Sequence, residues 1–176
     1  AEPTIAAFTA LASGSDGTVA NTDYEDAIEK AGTEGAGNII FLDSYNSIRN
    51  GYLKQHVADN PDKIAIVCGA ESDGVATAIT DVASNRDADG RIIYGYPWVQ
   101  TSLDGVLTYT NPASWIASII TQIAPSVDPA FVENTQFLAG ITDLKVALTR
   151  AQHIQLKEAG ICAFENDSDF GFKIKE

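Results

Sequence analysis

The stretch RIIYGYPWVQTSLDGVLTYTNPASWIASIITQIAP, residues 91–125, decides the fold. It opens on Arg91-Ile92-Ile93-Tyr94, an apolar run of strand length, passes through a loop rich in aromatics and turn residues, and enters a helix with no charge on any face. Asn111 suits the N-cap of that helix, and Pro112 suits its first position, where a proline's missing N–H would have had no partner anyway. Trp115, Ile116, Ile119, Ile120 and Ile123 recur as a wide apolar stripe, while Ala113, Ser114, Ala117, Ser118 and Thr121 form the other side. Neither side is made for bulk water. Gly105 to Val127 carries no charge, yet Asn111, Pro112 and Pro125 leave a helix of about a dozen residues, short of the roughly 20 that a bilayer requires. No membrane insertion is expected. Such a helix is enclosed within one domain or shared with a neighbouring subunit, and the enclosed reading is preferred.

Working outward, Asn38-Ile39-Ile40-Phe41-Leu42 and Lys63 to Cys68 are continuous apolar runs, the pattern of strands covered on both faces. Between them Ile48, Tyr52, Leu53 and Val57 recur at helical spacing until Asn60-Pro61 closes the segment. Ser72 or Asp73 is placed to start the next helix, with Val75, Ile79 and Val82 inward, and Asn85 to Gly90 is a polar turn. Nearer the start, Thr4 to Leu11 reads as a short strand. Thr22-x-x-Glu25 has the spacing of a capping box ahead of a helix carrying Tyr24, Ala27, Ile28 and Ala31 inward, with Gly32 as its end. Beyond residue 125, Pro125 to Ile141 is a long loop holding Phe131, Phe137 and Leu138. Leu144, Ala147, Leu148, Ala151 and Ile154 mark an amphipathic helix stopped by Gly160. Ile161 to Phe164 is a strand, Asn166 to Asp169 a turn, and Phe170, Phe172 and Ile174 alternate with polar or small residues. The expected class is α/β: three layers, a mostly parallel central sheet with helices on both faces, and a C-terminal β-hairpin, all in one domain over residues 1–176.

The charge balance narrows the partners. With 24 acidic against 11 basic residues and a net charge of −13, the surface repels phosphate backbones and anionic membranes, so no direct nucleic-acid binding is expected. Cys68 and Cys162 are too few for a disulfide framework and read as free core thiols. The chain opens on Ala1-Glu2-Pro3 without a signal-peptide pattern and contains no methionine. The expectation is a domain excised from a longer protein.

Chemistry, if present, belongs in the loops at the carboxyl ends of the parallel strands. These hold Asp43-Ser44-Tyr45, Gly69 to Gly74, and Gly95-Tyr96-Pro97-Trp98. Gly69-x-x-x-x-Gly74 has the glycine spacing of a phosphate loop, but Val75-Ala76 stand where Lys and Ser/Thr are needed, and Glu71 and Asp73 add negative charge. Asn85 to Ile92 matches the first eight positions of a calcium-binding EF-hand loop and fails at the twelfth, where Tyr96 replaces the bidentate Glu. Asp167-Ser168-Asp169 reads as a hairpin turn. His56 and His153 fall on predicted helices without a second ligand at metal spacing. Ser44 lacks a nucleophile elbow, and the acidic loop after Cys68 raises a thiol's pKa. No catalytic, cofactor-binding or metal residue is assigned. A small α/β enzyme or ligand-binding domain, using the crevice near Asp43, Ser72 and Tyr96, is the alternative to a structural role.

The order of Leu11-Ala12-Ser13-Gly14-Ser15-Asp16-Gly17, the helix at Tyr24, the strand from Ile39 to Asp43, and the helix start Asn111-Pro112-Ala113-Ser114-Trp115-Ile116-Ala117 resembles the tail sheath proteins of contractile-tailed bacteriophages. Phe137-Leu138-Ala139-Gly140-Ile141, the helix from Leu144, and Glu158-Ala159-Gly160-Ile161 leading into the closing hairpin extend the resemblance over nearly the whole chain. It implies a structural subunit without enzymatic activity or cofactor, stacking with identical sheath subunits in helical rings around a tail tube protein, in the virion after assembly in the host cytoplasm. It further implies contraction without nucleotide hydrolysis, with energy held in subunit contacts and each domain moving nearly as a rigid body. Terminal arms that add strands to a neighbour's sheet are part of the same picture; without them the isolated chain is expected to be monomeric. A related contractile injection device fits the same residues.

Overall fold

The computed structural model describes residues 19–34, 39–42, 44–122, 138–167 and 171–175. In chain order the elements are α1 (Asn21–Glu34), β1 (Ile39–Phe41), α2 (Ser47–Asp59), β2 (Ile64–Cys68), α3 (Val75–Asn85), β3 (Ile92–Tyr96), β4 (Val99–Leu103), β5 (Val106–Thr110), α4 (Pro112–Ile120), β6 (Ile141–Leu144), α5 (Arg150–Glu158), β7 (Ile161–Asp167) and β8 (Gly171–Lys175). The main sheet has the order β1-β2-β3-β7-β8. Its first four strands are parallel, because a helical crossover separates β1 from β2 and β2 from β3, and α5 returns the chain to β7. β8 runs antiparallel to β7. A second sheet, β5-β4-β6, is antiparallel throughout.

Strand alternation sorts the core into two halves. Ala65, Val67, Tyr94, Tyr96, Ile161 and Ala163 face the layer of α1, α2, α3 and α5, meeting Ile28, Leu53, Val57, Ala78, Val82 and Leu156. On the opposite face Ile66 and Phe164 pack against Ile116, Ile119 and Ile120 of α4, together with Val99, Ile141 and Leu144 from the second sheet. Helices therefore lie on both faces, and the central helix is largely enclosed: Ala113 and Ala117, on its small side, are as buried as its isoleucines, while Ser118 and Thr121 are exposed. Among the described residues no helix is long and apolar enough to cross a membrane.

Two residues let α4 lie so close. A Cβ at Gly95 in β3 would stand 2.6 Å from Ile116 Cδ1 and 3.2 Å from Pro112 Cβ, so a side chain there would push the helix off the sheet. Asn111 caps α4 by accepting from the Ala113 N–H at 2.7 Å, and its Nδ2 donates to the Leu42 carbonyl at 2.8 Å. One buried side chain thus satisfies a helix end and ties it to the exit of β1.

Several local expectations change. The stretch after Trp98 is not a loop but the β4–β5 hairpin, turned by Asp104 and Gly105 with φ of 50° and 78°; positive φ at both central residues is the turn whose twist suits a hairpin. Leu144 ends a strand and Ala147 and Leu148 precede the helix, which starts after Thr149. There the Thr149 and Gln152 side chains form a reciprocal capping box. Ala151 and Ile154 consequently face solvent, and Leu156 is the buried residue. Helix α1 starts before Thr22, with Asp23 accepting from the Ala20 N–H at 2.7 Å in place of the expected Thr22–Glu25 box. Gly32 lies inside that helix, against His56 and Asn60 of α2. Helix α3 begins at Val75, so Ser72 and Asp73 belong to the preceding turn. β1 lies at the sheet edge, which leaves Phe41 39% exposed rather than covered on both faces. The expected strand at Thr4 to Leu11, Ile123, Pro125 and most of the loop leading to Ile141 lie outside the described residues.

Asn111→Ala is expected to destabilise the chain by about 2 kcal/mol, since a cap and a bond to a carbonyl are both lost. Asn111→Ser, which keeps a capping oxygen, should lose about half of that; urea denaturation of the three proteins measures the order.

Candidate functional site

The carboxyl ends of β2 and β3 bring together Tyr45, Cys68, Asp73, Asp81 and Tyr94. Ser44 and Tyr45 enter after β1, Asp73 stands in the turn before α3, and Asp81 reaches in from α3; Asp43 lies outside the described residues. The loop from Gly69 to Gly74 is held by the protein itself. Asp73 Oδ2 accepts from the Ala70 N–H at 2.6 Å, Tyr96 Oη donates to the Asp73 carbonyl at 3.0 Å, and Trp98 Nε1 donates to the Gly69 carbonyl at 3.0 Å. Asn50 Nδ2, buried on α2, donates to the Cys68 carbonyl at 3.0 Å. Tyr94 Oη and Asp73 Oδ2 fill the space a Cβ would need at Gly69, so this glycine serves packing and not a phosphate.

The electrostatics of this seam run against an ionised catalyst. Burial, with Asp73 adding to it against the Asn111 amide, pushes the Cys68 thiol up to about 12. Tyr94 is raised first by burial and then by Asp81, Cys68, Asp73 and Tyr45. Tyr45 is raised by burial and by Asp81 and Asp73, and Asp81 by burial and by Asp73, against a hydrogen bond from Tyr94. Thiol and phenols are protonated at neutral pH, so neither Cys68 nor the seam's tyrosines present an anionic nucleophile. Ser72 is exposed on the turn above it, and Tyr96 spends its hydroxyl on the Asp73 carbonyl. The part of the expected crevice formed by Ser72 and Tyr96 is a hydrogen-bonded turn, and the enzyme alternative gains nothing from its geometry.

Other sequence candidates fall in separate places. Arg91 takes Asp87 at 3.2 Å and Asp89 at 3.1 Å, so the carboxylates of the EF-hand-like stretch hold their own chain's guanidinium as the turn enters β3. Asp167 pairs with Lys173 at 2.6 Å across the terminal hairpin. His56 is buried on α2, where burial and then Lys63 hold its pKa below the usual value. His153 lies on α5, far along the chain, beside Arg150 and Glu165 in a groove of about 460 Å³. Among the described residues no group of three His, Cys, Asp or Glu side chains comes together to hold a metal. Cys68 and Cys162 are not joined in a disulfide.

What the sequence reading missed is a surface. Leu103, Val106 and Leu107, at the tip of the β4–β5 hairpin, are 64%, 66% and 59% exposed. Asp104-Gly105 between two runs of β-forming residues was the available signal.

In the folded chain Cys68 should resist iodoacetamide at pH 8 and react once urea unfolds it, as read by mass spectrometry. Because its folded pKa lies above the ordinary 9.0, its contribution to stability is complete below pH 9 and is lost as pH rises toward 12. Cys68→Ala should flatten that alkaline loss.

No family profile matches the chain, and no curated protein sequence matches it. Solved structures do. The sheath tail protein of Listeria innocua superposes with a TM-score of 0.65 at 18% identity, over 96% of this chain and 36% of its own. A chain of the anti-feeding prophage baseplate gives 0.64 at 15% identity, over 88% and 41%, and one from the contracted helical sheath of the same prophage gives 0.60 at 14%, over 88% and 42%. The chain therefore spans about two-fifths of the length of each protein it matches. At these identities the likeness is one of fold, and the fold of this chain is that of a part of contractile sheath proteins.

Proposed function

We propose that this chain is one α/β domain of a contractile tail sheath subunit, whose work is to present surfaces to identical copies around a tail tube. The observation that carries the reading is the superposition on sheath proteins along 88–96% of the chain, arrived at independently of the resemblance in the sequence. A seam whose thiol and phenols are held protonated suits a domain that packs and does not catalyse. The core on both faces of the main sheet suits a body that moves as a unit while contacts between copies change. Within a virion the subunit would assemble in the host cytoplasm, and its partners would be its own copies and the tube protein, with no direct contact to nucleic acid on a surface of charge −13.

The test is electron microscopy of the full-length protein carrying this chain, expressed alone. Regular hollow tubes are expected, with the 176-residue chain by itself sedimenting as a monomer at micromolar concentration. Dispersed globules that bind a small metabolite would overturn the proposal.

A further inference from the structure

Helix α1 sits where the helix of a strand–helix–strand crossover sits, yet among the described residues no strand leads into it. Its first turn lies at the carboxyl ends of the parallel strands, beside the start of α2. There Asn21 Oδ1 accepts from Arg49 Nε at 3.0 Å, and the Arg49 guanidinium stacks 3.6 Å from the centre of the Tyr24 ring. Its last turn lies against the end of α2, where Gly32 meets His56 and Asn60. The two helices therefore run side by side in one direction, on one face of the sheet, and each returns the chain to the amino end of a parallel strand.

Handedness then fixes where a strand entering α1 lies. The connections β1–α2–β2 and β2–α3–β3 step across the sheet in one direction with their helices on one face. Crossovers between parallel strands are right-handed in about 98% of cases. A strand that feeds α1 from the carboxyl side is therefore parallel to β1 and stands one step back, on the side away from β2. That edge is open among the described residues, since β1 pairs with β2 alone. The elements around it are also apolar and uncovered: Phe41 on β1, Ile48 in the first turn of α2 and Val19 just before α1 are 39%, 53% and 59% exposed. On α1 itself Ala27 and Ala31 are exposed. Helical spacing puts them on the flank turned away from Glu25 and Glu29, which line the groove against α2.

We infer that the outer edge of β1 takes the chain's own segment Thr4 to Leu11 as a parallel strand beneath α1. Eighteen residues precede Val19, and Thr4 to Leu11 is the run of strand length among them, uncharged and apolar at Ile5, Phe8 and Leu11. The nine residues from Ala12 to Ala20 join it to α1; at about 3.3 Å each they span a strand-to-helix connection with length to spare. A tethered segment also meets the edge at an effective concentration on the order of millimolar, ahead of a strand from another molecule. The edge of β1 is then closed to copies, and a strand added by a neighbour has to use a different edge. The inference does not rest on the sheath reading.

The test reads amide hydrogen exchange by NMR in the 176-residue chain. An edge strand turns every second N–H toward its neighbour. Alternate amides from Thr4 to Leu11 are therefore expected to exchange at least about 100-fold more slowly than in the urea-unfolded chain. Uniformly fast exchange through that segment would overturn the inference. A second measurement places the photo-cross-linker p-benzoylphenylalanine at Phe41 and mixes nitrogen-isotope-labelled with unlabelled copies, so that mass spectrometry tells adducts within one copy from adducts between two. Adducts on Thr4 to Leu11 of the same copy are expected. Adducts on that segment of the other copy mean that a neighbour supplies the strand and overturn the assignment, as do adducts elsewhere or none. Should the Phe41 variant fail to fold, the exchange pattern of the unmodified chain decides alone.

Discussion

The close seating of α4 on the main sheet is the constraint from which the rest follows. Gly95 leaves room for Ile116 and Pro112, and Asn111 fastens the start of the helix to the exit of β1. Once α4 lies there, Ile66 and Phe164 have a cover, and β4, β5 and β6 have a second body to lean on through Val99, Ile141 and Leu144. The other four helices then close the opposite face, and the inner parallel strands, unlike the edge strand β1, are covered on both sides as such strands require.

That sealing explains the chemistry at the strand ends. In an open α/β enzyme this region is a crevice; here the Tyr96 hydroxyl, the Trp98 indole N–H and the Asn50 amide take the carbonyls of Asp73, Gly69 and Cys68 instead. Burial of Cys68 and Tyr94 among carboxylates favours their protonated forms, which adds to packing and removes reactivity. Among the described residues, what lies outside the core is a projecting hairpin, grooves between helices, and the outer edges of β1 and β5, while β8 receives the Leu138 N–H at its Phe172 carbonyl.

Legibility in the sequence followed the length and purity of the pattern. The runs at Ile39, Ile64 and Ile92 became the parallel strands, the helix capped by Asn111 was enclosed, and Phe172 to Ile174 closed a hairpin, because each had either a continuous apolar run or a cap fixing its start. The stretch from Val99 to Thr110 went unread because its strands mix Thr, Ser and Gln with apolar residues and are half wet, which blurs a period of two. The segment from Ile141 to Ile154 deceived in the other direction: its apolar spacing mimicked one helix, while a strand ends at Leu144 and Thr149 caps a later start.

The sequence by itself determined the layered α/β class, the net acidity, and the want of a phosphate-loop lysine after Gly74, since each is a property of composition or of near neighbours along the chain. Only the tertiary structure decided that the strand-end crevice is filled and that a face continuous with the core emerges at Leu103 and Val106. Burial is a relation between segments distant in the chain. A leucine carries the same signal at a core and at a contact, and only the position of everything else tells the two apart.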